Sequence, residues 1–161
     1  MPRSPKSDPQ REEVYRWEKG FSQMFYGHGF LPKEAHRLER AISGYYDIPR
    51  PRLRAVRWGK RGFLGAAYSE HPTGANRQPL IVVNEDLGAF TAPLLAHEIS
   101  HIITDLYGID EPDHGERWLG AYLHVLDRYA ILPLSMTVPS AKAAGLRFRD
   151  PALCTPKLLA S

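Results

Sequence analysis

Residues 91–108 read TAPLLAHEISHIITDLYG, and this stretch decides the fold. Thr91 is suited to cap the start of a helix, and the proline two positions later falls in the first turn, where an amide hydrogen would have no partner. Gly108 is suited to the left-handed conformation that ends many helices. Between these ends, apolar side chains recur at helical spacing: Leu95, Ile99, Ile102 and Leu106. The stretch therefore predicts a helix with one face in a core.

Two histidines of this helix form a candidate metal site. His97 and His101 are four residues apart, so their rings lie one turn apart on a face that the apolar stripe does not occupy. Two imidazoles at this spacing can both reach one zinc ion at about 2.0–2.1 Å. Glu98 would then lie beside the ion, where it can accept a proton from a bound water molecule. We therefore predict one bound Zn²⁺, with Glu98 as the catalytic base.

A third protein ligand is expected, because a catalytic zinc usually has three and keeps its fourth position for water. His114 is the best candidate, since it follows the helix across a turn-like stretch and begins a second amphipathic segment that runs to about Tyr129. A short loop at this point can fold the imidazole back over the metal. Glu111 and Asp113 are weaker alternatives.

Asp105 shares the face of the two helix histidines but is too far along the axis to bind the same ion. It follows His97 by eight residues, or about 12 Å, whereas ligands of one zinc lie about 3–3.5 Å apart. We predict that Asp105 instead accepts a hydrogen bond that orients His101. Three further side chains are candidates for stabilising negative charge on a substrate, and the sequence does not choose among them: Arg117, Tyr107 and Tyr68.

The rest of the chain predicts helices around a small sheet, which is an α+β fold. Two N-terminal helices are expected, at about 10–24 and 32–46, with a glycine-rich break at 27–29. Three strands are expected near 52–58, 63–70 and 80–84. A hairpin turn is predicted at 59–62 and a longer loop at 72–77. A last short helix is expected at about 139–144.

Length and composition predict one domain. The chain has 161 residues, of which 43% are apolar, enough to bury a substantial core. Residues 1–10 contain no apolar run, so we expect a disordered tail that is not a secretory signal, followed by a single domain at 11–161. Cys154 is the one cysteine, which excludes an internal disulfide and fits a reducing compartment. No apolar run approaches membrane-spanning length, so no membrane partner is expected.

The motif His-Glu-x-x-His at 97–101, followed by His-Gly-x-x-Trp at 114–118, resembles the SprT-like minimal zincins. It is especially similar to the small metallohydrolases of actinobacteria and their phages. The resemblance covers about residues 51–129 and continues weakly into 141–146. It implies that zinc is bound by His97, His101 and His114, and that Glu98 is the base. One departure is that SprT proteins often add a cysteine-rich zinc ribbon, which a chain with a single cysteine cannot build.

The resemblance implies a zincin-like metallopeptidase that acts on a protein or peptide. It implies a location in the cytoplasm of a bacterium or a phage-infected cell, or in the virion. The strand predicted at 80–84, if it borders the cleft, could align an extended peptide. Two other classes stay open. One is a non-catalytic structural or accessory protein, for example of a phage particle, that keeps the zincin fold. The other is a DNA-associated protein.

The DNA hypothesis comes from an uneven distribution of charge. The net charge is +3, but residues 1–61 hold fourteen lysines and arginines against seven acidic residues. The densest basic stretch surrounds Trp58 and consists of Arg50, Arg52, Arg54, Arg57, Lys60 and Arg61. Such a stretch could bind phosphates while the aromatic ring stacks on a base. We favour the alternative interpretation, an edge strand and turn that positive charge keeps soluble.

Overall fold

A computed structural model describes residues 7–25, 32–60, 63–69, 78–87 and 91–161 of the chain. Over these residues the fold is α+β, as predicted, with six α-helices and one three-stranded sheet. The helices are α1 (Arg11–Ser22), α2 (Pro32–Tyr46), α3 (Ala92–Leu106), α4 (Glu116–Arg128), α5 (Leu134–Ala143) and α6 (Pro156–Leu159). The strands are β1 (Arg52–Val56), β2 (Gly65–Tyr68) and β3 (Leu80–Asn84). The breaks and loops predicted at 27–29 and 72–77 lie outside the described residues.

The sheet has the order β1-β3-β2, so its last strand in sequence is central in space. β3 pairs in parallel with β1, placing Ile81 opposite Leu53, and antiparallel with β2, placing Val82 opposite Ala66. All five residues of β3 are buried, as expected of an apolar strand with a neighbour on each side. Because its backbone groups are paired on both edges, β3 cannot align an extended peptide, and that prediction is wrong.

The predicted hairpin between the first two strands is also wrong, because β3 lies between them. The chain that follows β1 is held by the side-chain amide of Asn84, at the end of β3. This amide accepts a hydrogen bond from the backbone of Trp58 (3.2 Å) and donates one to the carbonyl of Gly59 (3.0 Å). Residues 61 and 62 of the predicted turn lie outside the described range. The turn residues therefore could not reveal the strand order. The chain after β1 is held by Asn84, which follows Gly59 by 25 residues.

Helix α3 has the predicted ends. The hydroxyl of Thr91 accepts a hydrogen bond from the amide of Leu94 (3.3 Å), and Gly108 has a φ of +69° after the last turn. The core-facing residues Leu95, Ile99 and Ile102 are almost fully buried, and the helix packs on α4 through them and their neighbours. Leu106 is an exception to the predicted apolar stripe, because the last turn of α3 lies at the surface and leaves this side chain 40% exposed.

In the described residues 7–10 the segment before α1 is fixed by polar contacts, whereas a disordered tail was predicted to reach residue 10. Gln10 is buried, and its amide nitrogen donates to the carbonyls of His114 (3.0 Å) and Arg147 (3.1 Å). Its amide oxygen accepts a hydrogen bond from the backbone of Arg147 (2.6 Å). Polar contacts with residues distant in the sequence thus hold this segment. The low hydrophobicity of residues 1–10, on which the prediction of disorder was based, carries no information about such contacts. Residues 1–6 of the predicted tail lie outside the described part.

The C-terminal helix α5 begins at Leu134, five residues before its predicted start. Its first amide is capped by the carboxylate of Asp127, which accepts a hydrogen bond from the backbone of Leu134 (3.0 Å). Pro139 lies inside the helix instead of opening it, and Gly145, with a φ of +74°, follows its end as predicted. In the described part of the chain, no helix combines the length and apolarity needed to cross a bilayer.

Gly120 marks the tightest approach between α4 and the C-terminal segment. A Cβ at this position would lie 2.5 Å from the carbonyl oxygen of Arg149 and 2.7 Å from the sulfur of Cys154. Alanine normally stabilises a helix by about 1 kcal/mol relative to glycine. We expect Gly120→Ala instead to destabilise the protein by about 1–3 kcal/mol, because the clash involves backbone. Thermal unfolding would measure this change.

Gly44 in α2 is a matched control, since a Cβ there would meet no atom within 4 Å. We expect Gly44→Ala to leave the midpoint unchanged or to raise it. A Gly120→Ala protein at least as stable as the wild type would contradict the close packing described above.

Candidate metal centre

The structure brings the three predicted histidines together. The Nε2 atom of His97 lies 3.2 Å from Nε2 of His101 and 3.4 Å from Nε2 of His114. The ligand atoms of all three residues lie within 4.8 Å of one another. These separations are close to the roughly 3–3.5 Å expected between ligands of one tetrahedral ion. The three imidazoles could therefore hold one metal ion.

The other nitrogen of each ring is engaged by an acceptor. Nδ1 of His97 lies 2.7 Å from a carboxylate oxygen of Glu18, and Nδ1 of His114 lies 2.5 Å from a carboxylate oxygen of Asp8. His101 is hydrogen-bonded to the backbone of Asp113. An ionised carboxylate can only accept, so the Nδ1 atoms of His97 and His114 donate and their Nε2 lone pairs face the centre of the cluster. This arrangement is typical of metal-binding histidines and fits a bound cation.

The protonation of the rings agrees with this fit. Burial lowers the pKa of His101 well below its ordinary value, and the two neighbouring histidines lower it further. Burial also lowers the pKa of His114. At His97 burial acts in the same direction, but the charge and hydrogen bond of Glu18 outweigh it and raise the pKa. A second proton on His97 would be carried by its Nε2 atom, which faces the other two Nε2 atoms. A metal ion bound there would displace this proton.

Asp8 and Glu18 were missed in the sequence because neither belongs to the motif. Asp8 fell in the segment predicted to be disordered. Glu18 offered one signal, since it stands four residues after Val14 on the helix face that also buries Trp17 and Phe21. A carboxylate on a core-facing stripe requires a partner, but the sequence does not say which residue supplies it.

The other acidic candidates are placed away from the ligand positions. Asp105 is exposed at the end of α3, and in the described residues no hydrogen bond joins it to His101, whose partner is the main chain of Asp113. Glu111 lines the same cavity, but it is not part of the histidine cluster and its carboxylate caps helix α4. Its carboxylate accepts hydrogen bonds from the amides of Arg117 (2.6 Å) and Trp118 (3.0 Å).

Trp118 forms the buried floor of the site. Its ring stacks on His101, with centroids 4.9 Å apart and planes 20° from parallel. It also meets His97 and His114 at centroid distances of 4.8 and 4.6 Å. Contacts with all three imidazoles restrict the rotation of these rings.

Glu98 lies beside the histidines and is 5% exposed. It lines the same cavity of about 610 Å³ as the three imidazoles. Burial raises the pKa of Glu98 to about 7, although the charge of His97 acts in the opposite direction. Gly65 on β2 leaves room for this carboxylate, since a Cβ there would lie 2.8 Å from its Oε1 atom. A buried carboxyl group with a pKa near neutrality is suited to take up and release a proton.

None of the three candidates predicted to stabilise charge lines this cavity. The hydroxyl of Tyr107 donates to the carbonyl of Tyr46 (2.6 Å). Tyr68 is 40% exposed on β2, and Arg117 lines a neighbouring cavity of about 500 Å³. Arg11 and Tyr15 of α1 line the cavity instead. Sequence reasoning missed them because nothing in it places α1 against the histidines.

The predicted basic surface is partly used for internal ion pairs. Arg50 binds the buried carboxylate of Glu39, and Arg57 contacts Glu85 at 3.4 Å. The remaining members within the described residues are exposed, namely Arg52, Arg54 and Lys60. Arg61 lies outside the described range. Nucleic-acid binding by this surface stays a prediction.

No family model matches this chain, and no curated protein or solved structure matches it. The functional assignment of the site therefore depends on its own geometry and chemistry.

Replacing the third ligand is expected to remove the metal. We expect His114→Ala to reduce zinc affinity by more than about 100-fold, which exceeds the usual loss when only a hydrogen-bond partner of a ligand is changed. His124→Ala is the control, because His124 lies on helix α4, which follows His114, and faces Tyr45, whose hydroxyl is 3.3 Å from its Nε2. Competition titration against a chromogenic chelator would measure both affinities. Equal zinc retention by the two variants would refute His114 as a ligand.

Removing the charge of Glu18, which orients His97, is expected to lower the zinc affinity without unfolding α1. We expect Glu18→Gln to lower zinc affinity by about 10–100-fold, because a neutral amide is a weaker acceptor for Nδ1. Glu12→Gln is the control, since Glu12 is an exposed residue of the same helix. The same chelator titration applies, with circular dichroism to compare helix content. If both variants bound zinc with equal affinity, the contact of Glu18 with His97 would not contribute to zinc binding.

Proposed function

We propose that this chain is a zinc-dependent hydrolase of the zincin type, and that its substrate is a protein or peptide. One observation carries this proposal. A cluster of three imidazoles, with Nε2 atoms 3.2 and 3.4 Å apart, shares an open cavity with the buried carboxyl group of Glu98. A metal-ligand set beside a proton-transfer group is what metal-assisted hydrolysis requires.

The donor set supports zinc as the metal. Three imidazole nitrogens suit Zn²⁺, and a catalytic zinc keeps a position that no protein ligand occupies. When bound, zinc would acidify a water molecule and polarise a carbonyl group. His97, His101 and His114 would hold it, while Glu18, Asp8 and the backbone of Asp113 keep their rings in place.

Glu98 is the residue to which we assign proton transfer. As the base, its carboxylate accepts a proton from the water molecule that attacks the carbonyl carbon of the substrate. When the carbon–nitrogen bond breaks, Glu98 donates this proton to the leaving amine and returns to its starting state. Glu98 lines the cavity beside all three imidazoles, so the same carboxyl group can carry out both steps.

Strand β2 supports an extended peptide as the substrate. Gly65, Ala66 and Ala67 line the cavity, and their side chains leave the backbone accessible. Within the described residues β2 pairs only with β3, so its second edge has backbone groups available to a peptide. Main-chain hydrogen bonds to such an edge can align an extended chain beside Glu98.

The cavity also favours an enzyme over a structural component that keeps the fold. A structural zinc is normally enclosed by four protein ligands. Among the described residues the cluster contains three, and all of them line a cavity. A buried carboxyl group at such a position has an energetic cost that a structural site would have no reason to bear.

Loss of the base is expected to abolish turnover without loss of metal. We expect Glu98→Gln to bind zinc like the wild type and to hydrolyse an unfolded protein substrate about 10²–10⁴-fold more slowly, because the amide cannot accept the proton. Glu85→Gln is the control, since this carboxylate contacts Arg57 outside the cavity. Zinc content and initial rates would be measured on the same preparations. Equal rates for the wild type and the Glu98 variant would remove Glu98 as the base.

A further inference from the structure

Tyr15 of α1 lies on the wall of the cavity, next to two of the three histidines. Its ring centroid is 5.2 Å from that of His114 and 6.2 Å from that of His97, and it stacks on the latter with planes 25° apart. The side chain is half-buried and lines the cavity together with Glu98. Trp118, on the same imidazoles, is fully buried and forms the floor. Tyr15 is therefore the aromatic neighbour of the cluster that a substrate could reach.

Two contacts within one face of α1 hold Tyr15 in this place. Glu18, one turn further along the helix, is anchored to Nδ1 of His97 at 2.7 Å. Arg11, one turn earlier, has its guanidinium carbon 5.6 Å from the Tyr15 ring centroid and interacts with the hydroxyl. Residues at these spacings are neighbours on a helix surface. The hydroxyl is thus fixed by the same helix that orients a candidate metal ligand.

The contact with Arg11 leaves the hydroxyl able to donate. A guanidinium group has only donors, so the Tyr15 oxygen can only accept from Arg11. The proton of the hydroxyl remains available for another acceptor. A phenol keeps this proton at neutral pH. Tyr15 can therefore offer an O–H donor to an oxygen atom bound in the cavity.

Other donors around the cavity fit this role less well. The hydroxyl of Thr104 donates to the backbone carbonyl of Ser100 (3.0 Å). Arg11 is exposed at the rim and already contacts Tyr15. Tyr107, Tyr68 and Arg117 lie outside the lining. Among the described residues, Tyr15 combines a position beside the ligands, a fixed side chain and a donor.

We infer that Tyr15 is a catalytic residue that donates a hydrogen bond to the carbonyl oxygen of the substrate as negative charge develops there. This inference rests on the proposed function. A donor placed in advance at such an oxygen stabilises the transition state more than the bound substrate, so its loss lowers kcat more than it raises KM. Removal of one such donor typically costs about 10²–10³-fold in kcat.

The test is Tyr15→Phe, which keeps the ring that packs on His97 and His114 and removes only the hydroxyl. We expect kcat on an unfolded protein substrate to fall by about 10²–10³-fold, with KM, zinc affinity and thermal midpoint near the wild-type values. A second readout does not involve turnover. A phosphinic dialanine carries charged oxygens in tetrahedral geometry, and calorimetry should show that the zinc-loaded variant binds it more weakly by a similar factor. Tyr129→Phe is the control, since this tyrosine does not line the cavity and its hydroxyl donates to the carbonyl of Ala41 (3.0 Å).

The outcomes separate this inference from the function on which it rests. If Glu98→Gln abolishes turnover while Tyr15→Phe matches the wild type in kcat and phosphinate affinity, the hydrolase stands and Tyr15 only packs. Loss of zinc or of thermal stability together with activity would also overturn the inference, since it would identify a structural role. A fall in kcat with unchanged phosphinate binding would exclude the stabilisation of charge. A wild-type protein that neither hydrolyses peptides nor binds the phosphinate would refute both proposals.

Discussion

The hydrogen bonds that hold the three imidazoles are the interactions on which the rest of the structure depends. Glu18 and Asp8, both near the N-terminus, engage histidines that stand 79 and 106 residues later in the chain. A carboxylate withdrawn from water is costly unless it is paired, so the contacts with the Nδ1 atoms of His97 and His114 add to the apolar packing that holds α1 on the core. The same contacts direct the Nε2 atoms inward. The N-terminal segment therefore contributes both to the core and to the cluster.

This arrangement concentrates negative charge around a small volume. The carboxylates of Asp8 and Glu18 contact the outer ring nitrogens of the cluster, and the carboxyl group of Glu98 lies beside it in the same cavity. A divalent cation among the Nε2 atoms would balance the charges of Asp8 and Glu18. Burial raises the pKa of Glu98 to about 7, so a negative charge on this carboxyl group is unfavourable here. Electrostatics thus links the histidine cluster, its hydrogen-bond acceptors and the proposed base.

The sheet topology determines which strand borders the cavity. Because β3 lies between its two neighbours, β2 is an edge strand within the described part of the chain, and its small residues border the cavity. Gly65 lets this strand approach Glu98 closely, with a hypothetical Cβ only 2.8 Å from the carboxyl group. The strand therefore contributes both the space for the base and an open backbone edge. A hairpin of β1 and β2, as the local turn signal predicts, would have paired β2 with β1, and β2 would then have had no free edge if β3 also paired with it.

What the sequence by itself determined was local and periodic. Helical spacing predicted α3 with its caps at Thr91 and Gly108, the fixed separation of His97 and His101, and the return of His114 across a short loop. These features depend on residues close together in the chain, whose geometry a helix or a turn imposes. The strand order, the contacts of Asp8 and Glu18 with the histidines, the burial of Gln10 and the position of Tyr15 on the cavity wall appear only in the tertiary structure. Those contacts join residues far apart in the chain, and one sequence carries no signal of which distant polar groups will pair.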